Sequence, residues 1–154
     1  MLDTPQITHI AAQQTAVIRL TIPRSEIQNV MGPAIGEVMA TVAAQGIAPA
    51  GPVFSYHLKM DPAIFDFEVG VPVSSPVAPA GRVQPGTLRA AKVAKVVYRG
   101  PYEGLGAAWG ELCQWIASQQ LLPTEDLWEF YTVGPESSPD PGTWQTELIR
   151  PLMG

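Results

Sequence analysis

Cysteine is all but missing from this chain: Cys113 stands alone among 154 residues. A single thiol excludes an internal disulfide framework and fits a reducing, cytoplasmic compartment. Histidine is nearly as scarce. His9 and His57 with Cys113 cannot make a four-ligand zinc site without carboxylates, so no metal is expected. Basic residues are few, nine Lys and Arg against fourteen Asp and Glu for a net charge of −5. That balance argues against direct nucleic-acid binding, which depends on cationic side chains neutralising phosphates. Long apolar runs are missing too, each being broken by Arg, Gln, Gly or Pro well short of the roughly 18 residues a membrane span needs. The opening Met-Leu-Asp-Thr-Pro-Gln has neither the basic flank nor the apolar core of a signal peptide. No nucleophile elbow, phosphate loop or dinucleotide fingerprint is present, since Gly100, Gly104, Gly106 and Gly110 are wrongly spaced, and no cofactor is expected.

What is present is enough apolar material for a globular core, with 46% hydrophobic and 15% charged residues in one domain of ordinary size. It also holds an internal repeat. Residues Gly32 to Pro49 align without a gap on Gly106 to Pro123, an offset of 74 throughout. Gly32, Ala34, Gly36, Glu37, Ala43, Gln45 and Pro49 meet identical partners, and Val38, Val42 and Ile47 meet similar ones. Val53–His57 continues onto Leu127–Tyr131. After five extra residues within Gly134–Gly142, Phe65–Pro72 aligns on Trp144–Pro151, matching Glu68 to Glu147. Two copies, about residues 5–72 and 87–151, joined by a Pro/Gly-rich linker 73–86, are the expected organisation, related by a pseudo-two-fold axis.

The pattern of each copy predicts strand, helix, strand, strand. Thr15–Ile22 and Ala91–Tyr98 alternate and are rich in β-branched residues. Pro23 and Pro101 suit the first turn of the helices that follow. Met31, Ile35, Val38 and Val42, and one copy later Leu105, Trp109, Leu112 and Ile116, form single apolar stripes. Val53–Leu58, Phe65–Val71, Leu127–Val133 and Trp144–Arg150 complete the copies, with an edge strand expected around Ile7–Ala12. The fold class is therefore α+β: duplicated βαββ modules, antiparallel sheets with helices on one face. A three-stranded sheet under one helix leaves its other face bare, so neither copy is expected to fold alone.

Alternation along the strand puts Glu129 and Tyr131 on one face and Trp128 and Phe130 on the other. Trp128 and Phe130 are the expected partners of the helix stripe. Glu129 and Tyr131, with Ser55 and His57 of the first copy, would then floor a central ligand cleft on the helix-free side. A carboxylate so placed costs several kcal/mol unless something pairs with it, and burial would raise its pKa. It could serve as counter-charge for a lipophilic cation, helped by aromatic faces, or as a general base acting on water. From the pattern alone, a solvated Glu129, aromatics that are simply core and a His57 that is only a polar strand residue are the ordinary readings. Cys113 reads as an inert buried thiol, Glu37 and Glu111 as solvated or bonded to a neighbouring loop, and Glu68 and Glu147 as braces of the last strand.

Tyr98-Arg-Gly-Pro-Tyr-Glu103, the helix with Trp109, Leu112 and Trp115-Ile116, and Trp128-Glu-Phe-Tyr131 closely resemble the GyrI-like small-molecule-binding family. That module serves as the effector-binding domain of AraC- and MerR-type regulators and also stands alone. The first copy matches through Ile22-Pro-Arg-Ser-Glu26, Gly51–His57 and Phe65–Pro72, so the resemblance covers about Thr4 to Pro151. It implies a pocket lined by aromatics in which the glutamate of a Glu-x-Tyr strand, here Glu129 beside Tyr131, receives hydrophobic or cationic aromatic compounds. Trp109 and Tyr102 become candidate wall residues. Some stand-alone relatives open cyclopropane-bearing compounds hydrolytically with a pocket carboxylate and hydroxyl, and the gyrase-inhibitory relative acts on a protein. Without a helix-turn-helix, this chain is not expected to bind DNA by itself. A small-molecule partner, no membrane and an unidentified protein partner complete the expectations.

Overall fold

In the computed structural model, residues 3–60, 63–133 and 139–153 are described, and they form eight strands and two α-helices. In chain order these are β1 (Gln6–Ile10), β2 (Gln13–Pro23), α1 (Ile27–Ala44), β3 (Phe54–Met60), β4 (Ile64–Pro72), β5 (Gln84–Leu88), β6 (Ala91–Arg99), α2 (Leu105–Ser118), β7 (Leu127–Val133) and β8 (Gln145–Pro151). The fold is α+β. The chain divides into two compact units, one of Ala11–Ala90 and one of Met1–Ile10 with Ala91–Gly154.

The Ala11–Ala90 unit is an antiparallel sheet in the order β3-β4-β2-β5 with α1 on one face. Ile18, Phe67, Val69 and Val71 point to that face and meet Ala34, Val38 and Val42 of the helix. The second unit is ordered β1-β6-β8-β7, also antiparallel. Ala94, Val96 and Leu148 pack there against Ala108, Leu112 and Ile116 of α2. The expected stripes are thus rotated slightly. Small residues, Ala34 and Ala108, are buried in the helix–sheet clusters, while Met31, Ile35, Leu105 and Trp109 flank them half-buried. A helix lies closer to a sheet over alanine than over a large side chain.

The two units share backbone irregularities at matching positions. β3 slips register between His57 and Lys59, and β7 between Tyr131 and Val133. Each helix is followed by a left-handed residue, Gly46 at φ 68° and Gln120 at φ 59°. Isolated bridges tie Pro49 to Val73 and Pro123 to Leu152. The five-residue insertion expected after β7 lies partly outside the described residues.

Two expectations are corrected. The helices begin a turn later than the prolines suggest. Pro23 closes β2 and Pro101 precedes a turn, and single 3-10 turns at Arg24–Glu26 and Tyr102–Gly104 intervene. The edge strand expected around Ile7–Ala12 is present as Gln6–Ile10, and it pairs with β6. Segment 73–86 is more than a tether. Val73, Val77 and Val83 are buried against α1, Gln84 to Gly86 begin β5, and β5 pairs with β2. Gln45 pins the segment by bonding both the N–H and the carbonyl of Ala78 at 2.9 Å. Each unit thus gains as its edge a strand that precedes the rest of the other unit in sequence. At Gly70 a Cβ would lie 2.1 Å from the carbonyl oxygen of Ala16, so the β2–β4 approach requires glycine there.

Candidate functional site

β7 supplies two polar side chains two residues apart, and its register decides where they point. Glu129 pairs across to Leu148, and Tyr131 to Thr146. Leu148 belongs to the cluster under α2. Glu129 and Tyr131 therefore lie on the helix side of the sheet, and Trp128, paired with Ile149, on the other. This reverses the expected faces. The helix side is packed by aliphatic residues, and the half-buried Trp109 on the flank of α2 brings an indole N–H that needs an acceptor. Glu129 provides it.

Glu129 is only 8% exposed. Its Oε2 accepts from Trp109 Nε1 at 2.6 Å, and its Oε1 accepts from the Tyr131 hydroxyl at 2.8 Å. Withdrawing a carboxylate from water costs several kcal/mol. Hydrogen bonds to a charged group contribute about 1.5–3 kcal/mol each, so these two are of the size needed to offset much of that cost. Both donors are neutral, and each fixes one of the two oxygens. Aromatic rings extend the arrangement. Tyr102 meets Tyr131 edge-on at 5.8 Å between centroids, and Trp144 lies tilted on Tyr102 at 4.8 Å. A fixed carboxylate beside several π faces is suited to a cation with apolar substituents.

Of the residues singled out from sequence, Glu129, Tyr131, Trp109 and Tyr102 come together. Ser55 and His57 lie in the Ala11–Ala90 unit, on the α1 side of its sheet, where the rings of His57 and Phe67 stack at 5.1 Å. Sequence reasoning missed Trp144, which reads as the start of a strand but sits in a turn ahead of β8. Its alignment with Phe65, itself edge-on to His57 at 5.1 Å, was the available signal. Cys113 is half-buried rather than buried, its Sγ 3.9 Å from the Arg150 guanidinium.

The recurring glutamates separate. Glu37 receives both Nε and Nη2 of Arg82, which holds its carboxyl below the usual range. Glu147 pairs with Lys95 at 3.5 Å. Burial pushes the Glu68 carboxyl up, against the attraction of Arg19. Among the described residues, no three His, Cys, Asp or Glu side chains gather closely enough to hold a metal ion, and no helix is long and apolar enough to cross a membrane.

The profile of the GyrI-like small molecule binding domain matches residues 3–153. No curated protein sequence matches the chain. Among solved structures, the C-terminal domain of EcmrR superposes with a TM-score of 0.85 at 22% identity, over 97% of each chain. In the EcmrR–DNA complex the likeness covers 97% of this chain but only 57% of the EcmrR chain, at 21% identity and a TM-score of 0.84. SAV2435 bound to tetraphenylphosphonium is 14% identical over 99% of this chain and 95% of its own, with a TM-score of 0.74. A hydrolase encoded by lin2189 from Listeria innocua is 12% identical over 97% and 91%, with a TM-score of 0.64. At such identities these structures share the fold with this chain.

Proposed function

This chain belongs to the GyrI-like small-molecule-binding family, and we propose that it receives hydrophobic or cationic aromatic compounds at Glu129. The observation that carries this is the buried carboxylate held by Trp109 and Tyr131, with the Tyr102 ring packed on Tyr131 and Trp144 on Tyr102. Neutral donors orient the anion, aromatic faces favour a cation, and water is largely excluded, so charge attraction is strengthened. SAV2435, a structural neighbour, was solved with a lipophilic cation.

Tetraphenylphosphonium titration followed by tryptophan emission tests it. Wild-type protein should show saturable quenching, and Glu129→Gln, which keeps the shape but removes the charge, should bind at least about tenfold more weakly. Equal binding by both proteins would overturn the assignment.

A second reading rests on the 2.8 Å contact between the Tyr131 hydroxyl and Glu129, an acid–base pair, and on the hydrolase among the neighbours. Glu129 would take a proton from water as the water oxygen bonds to the electrophilic carbon of a strained ring. The ring C–C bond would break, and Tyr131 would protonate the departing carbon before recovering a proton from Glu129. Incubation with a cyclopropane-bearing electrophile, with products read by mass, decides it. A mass gain of one water that is lost in Glu129→Gln supports turnover; unchanged substrate excludes it.

A further inference from the structure

Thr146 lies on β8 between Tyr131 of β7 and Tyr98 of β6, its cross-strand partners. It shares the face of Glu129. The residue is fully buried, and its hydroxyl meets no hydrogen-bond partner among the described residues. A buried hydroxyl left unbonded costs about 1–3 kcal/mol. A strand position that asked only for a β-branched, packed residue would be served better by valine.

The other unit displays a different filling of the same position. The offset alignment that matches Tyr131 to His57 also matches Thr146 to Phe67. Phe67 is fully buried, and its ring lies nearly parallel to the His57 ring at 5.1 Å. At Thr146 a methyl and a hydroxyl stand where that phenyl ring would, next to the tyrosine that holds Glu129. Diagonal neighbours across a strand pair lie about 7–8 Å apart. Thr146 and Glu129 are such diagonal neighbours, on the face that also carries Tyr131.

Resting on Glu129 as the ligand's counter-charge, we infer that Thr146 is the specificity-determining residue of this site, its hydroxyl accepting a hydrogen bond from the N–H of a protonated lipophilic amine. Carboxylate and hydroxyl oxygens together present acceptors, which suit an ammonium that carries both charge and a proton to donate. A fully substituted onium ion offers charge and rings but leaves the Thr146 hydroxyl unbonded. The preferred ligand class is thus aromatic amines protonated at neutral pH, ahead of their quaternary counterparts.

A matched pair tests this: diphenhydramine, protonated at neutral pH, and its N-methyl quaternary salt, each titrated calorimetrically. Wild-type protein should prefer the protonated amine. Thr146→Val should weaken the amine about tenfold while leaving the quaternary salt within about twofold, so that the preference disappears. Thr146→Ser, which keeps the hydroxyl, should retain the preference. Thermal unfolding should show Thr146→Val at least as stable as wild type, because it removes an unbonded hydroxyl. An unchanged affinity ratio in Thr146→Val, or a wild-type protein indifferent to the pair, overturns the inference. Glu129→Gln should weaken both cations alike. If it weakens neither, or if neither cation binds wild-type protein, the carboxylate-centred site itself fails.

Discussion

The indole N–H of Trp109 ends on Oε2 of Glu129 at 2.6 Å, so the flank of α2 and the strand β7 are joined through one carboxylate. Trp109→Phe keeps a ring in the flank and removes only the donor. It should destabilise the protein by about 1.5–3 kcal/mol, the usual size for a hydrogen bond to a charged group. Tyr131→Phe removes the other donor and should cost a similar amount. Because the two bonds share an acceptor, the double variant should depart from the sum of the singles by about 0.5 kcal/mol or more. Urea unfolding of the four proteins measures this, and strict additivity would show that the two donors act independently.

Tyr98 extends its hydroxyl to the carbonyl of Pro101 at 2.8 Å, passing directly over Gly104. A Cβ on Gly104 would lie 2.0 Å from that hydroxyl oxygen and 2.9 Å from the ring carbon bearing it. Gly104→Ala should therefore cost about 1–3 kcal/mol through overpacking where α2 begins. In a Tyr98→Phe background the nearer clash is gone, and the same substitution should cost distinctly less. Thermal unfolding of the cycle checks it; equal costs in both backgrounds would place the damage elsewhere.

Alternation and helix stripes made the strands and helices legible, because each is a local pattern with its own period. Alternation separates Glu129 from Trp128 but does not say which of them meets the helix. A period of two is the same read from either side, and the bulk of Trp128 pointed the wrong way. The pairing partners of β1 and β5 were hidden for another reason. β1 is largely exposed, and β5 carries Pro85 and Gly86, so neither has an apolar face that names its neighbour. Glu129, Tyr131, Trp109 and Tyr102 could be named through the family resemblance. Thr146 could not, since a threonine in a strand is ordinary until its neighbours are seen to leave its hydroxyl unbonded.

Every tryptophan of the chain, Trp109, Trp115, Trp128 and Trp144, falls in the unit that takes β1 as its edge. Removing residues 1–10 would strip β6 of that partner, along with the ion pair between Asp3 and Arg99. The tryptophan-detected melting temperature should fall by roughly 5 °C or more, since a kcal/mol is worth about 2–4 °C at this size. Circular dichroism should show the same downward shift. A truncated protein melting with the full chain by both probes would show that β1 adds no stability.

Glu68, half-buried on β4, has its carboxyl pushed above the usual range mainly by burial, with Arg19 opposing and Asp66 adding to the rise. The folded state then holds the proton more tightly than the unfolded state. Between the two pKa values stability falls as pH rises, and above the folded value the penalty is complete. Glu68→Gln, uncharged throughout, should flatten this part of the profile and match or exceed wild type at neutral pH. Glu37 works in the opposite sense. Arg82 lowers its carboxyl, so its support is present above the unfolded pKa and disappears as pH falls through the folded one. Because that pair is exposed, added salt should shrink its effect. Urea midpoints taken between about pH 3 and pH 8 for wild type, Glu68→Gln and Glu37→Gln separate the two signs. A Glu68→Gln profile parallel to wild type would mean that the carboxyl is solvated in the folded protein.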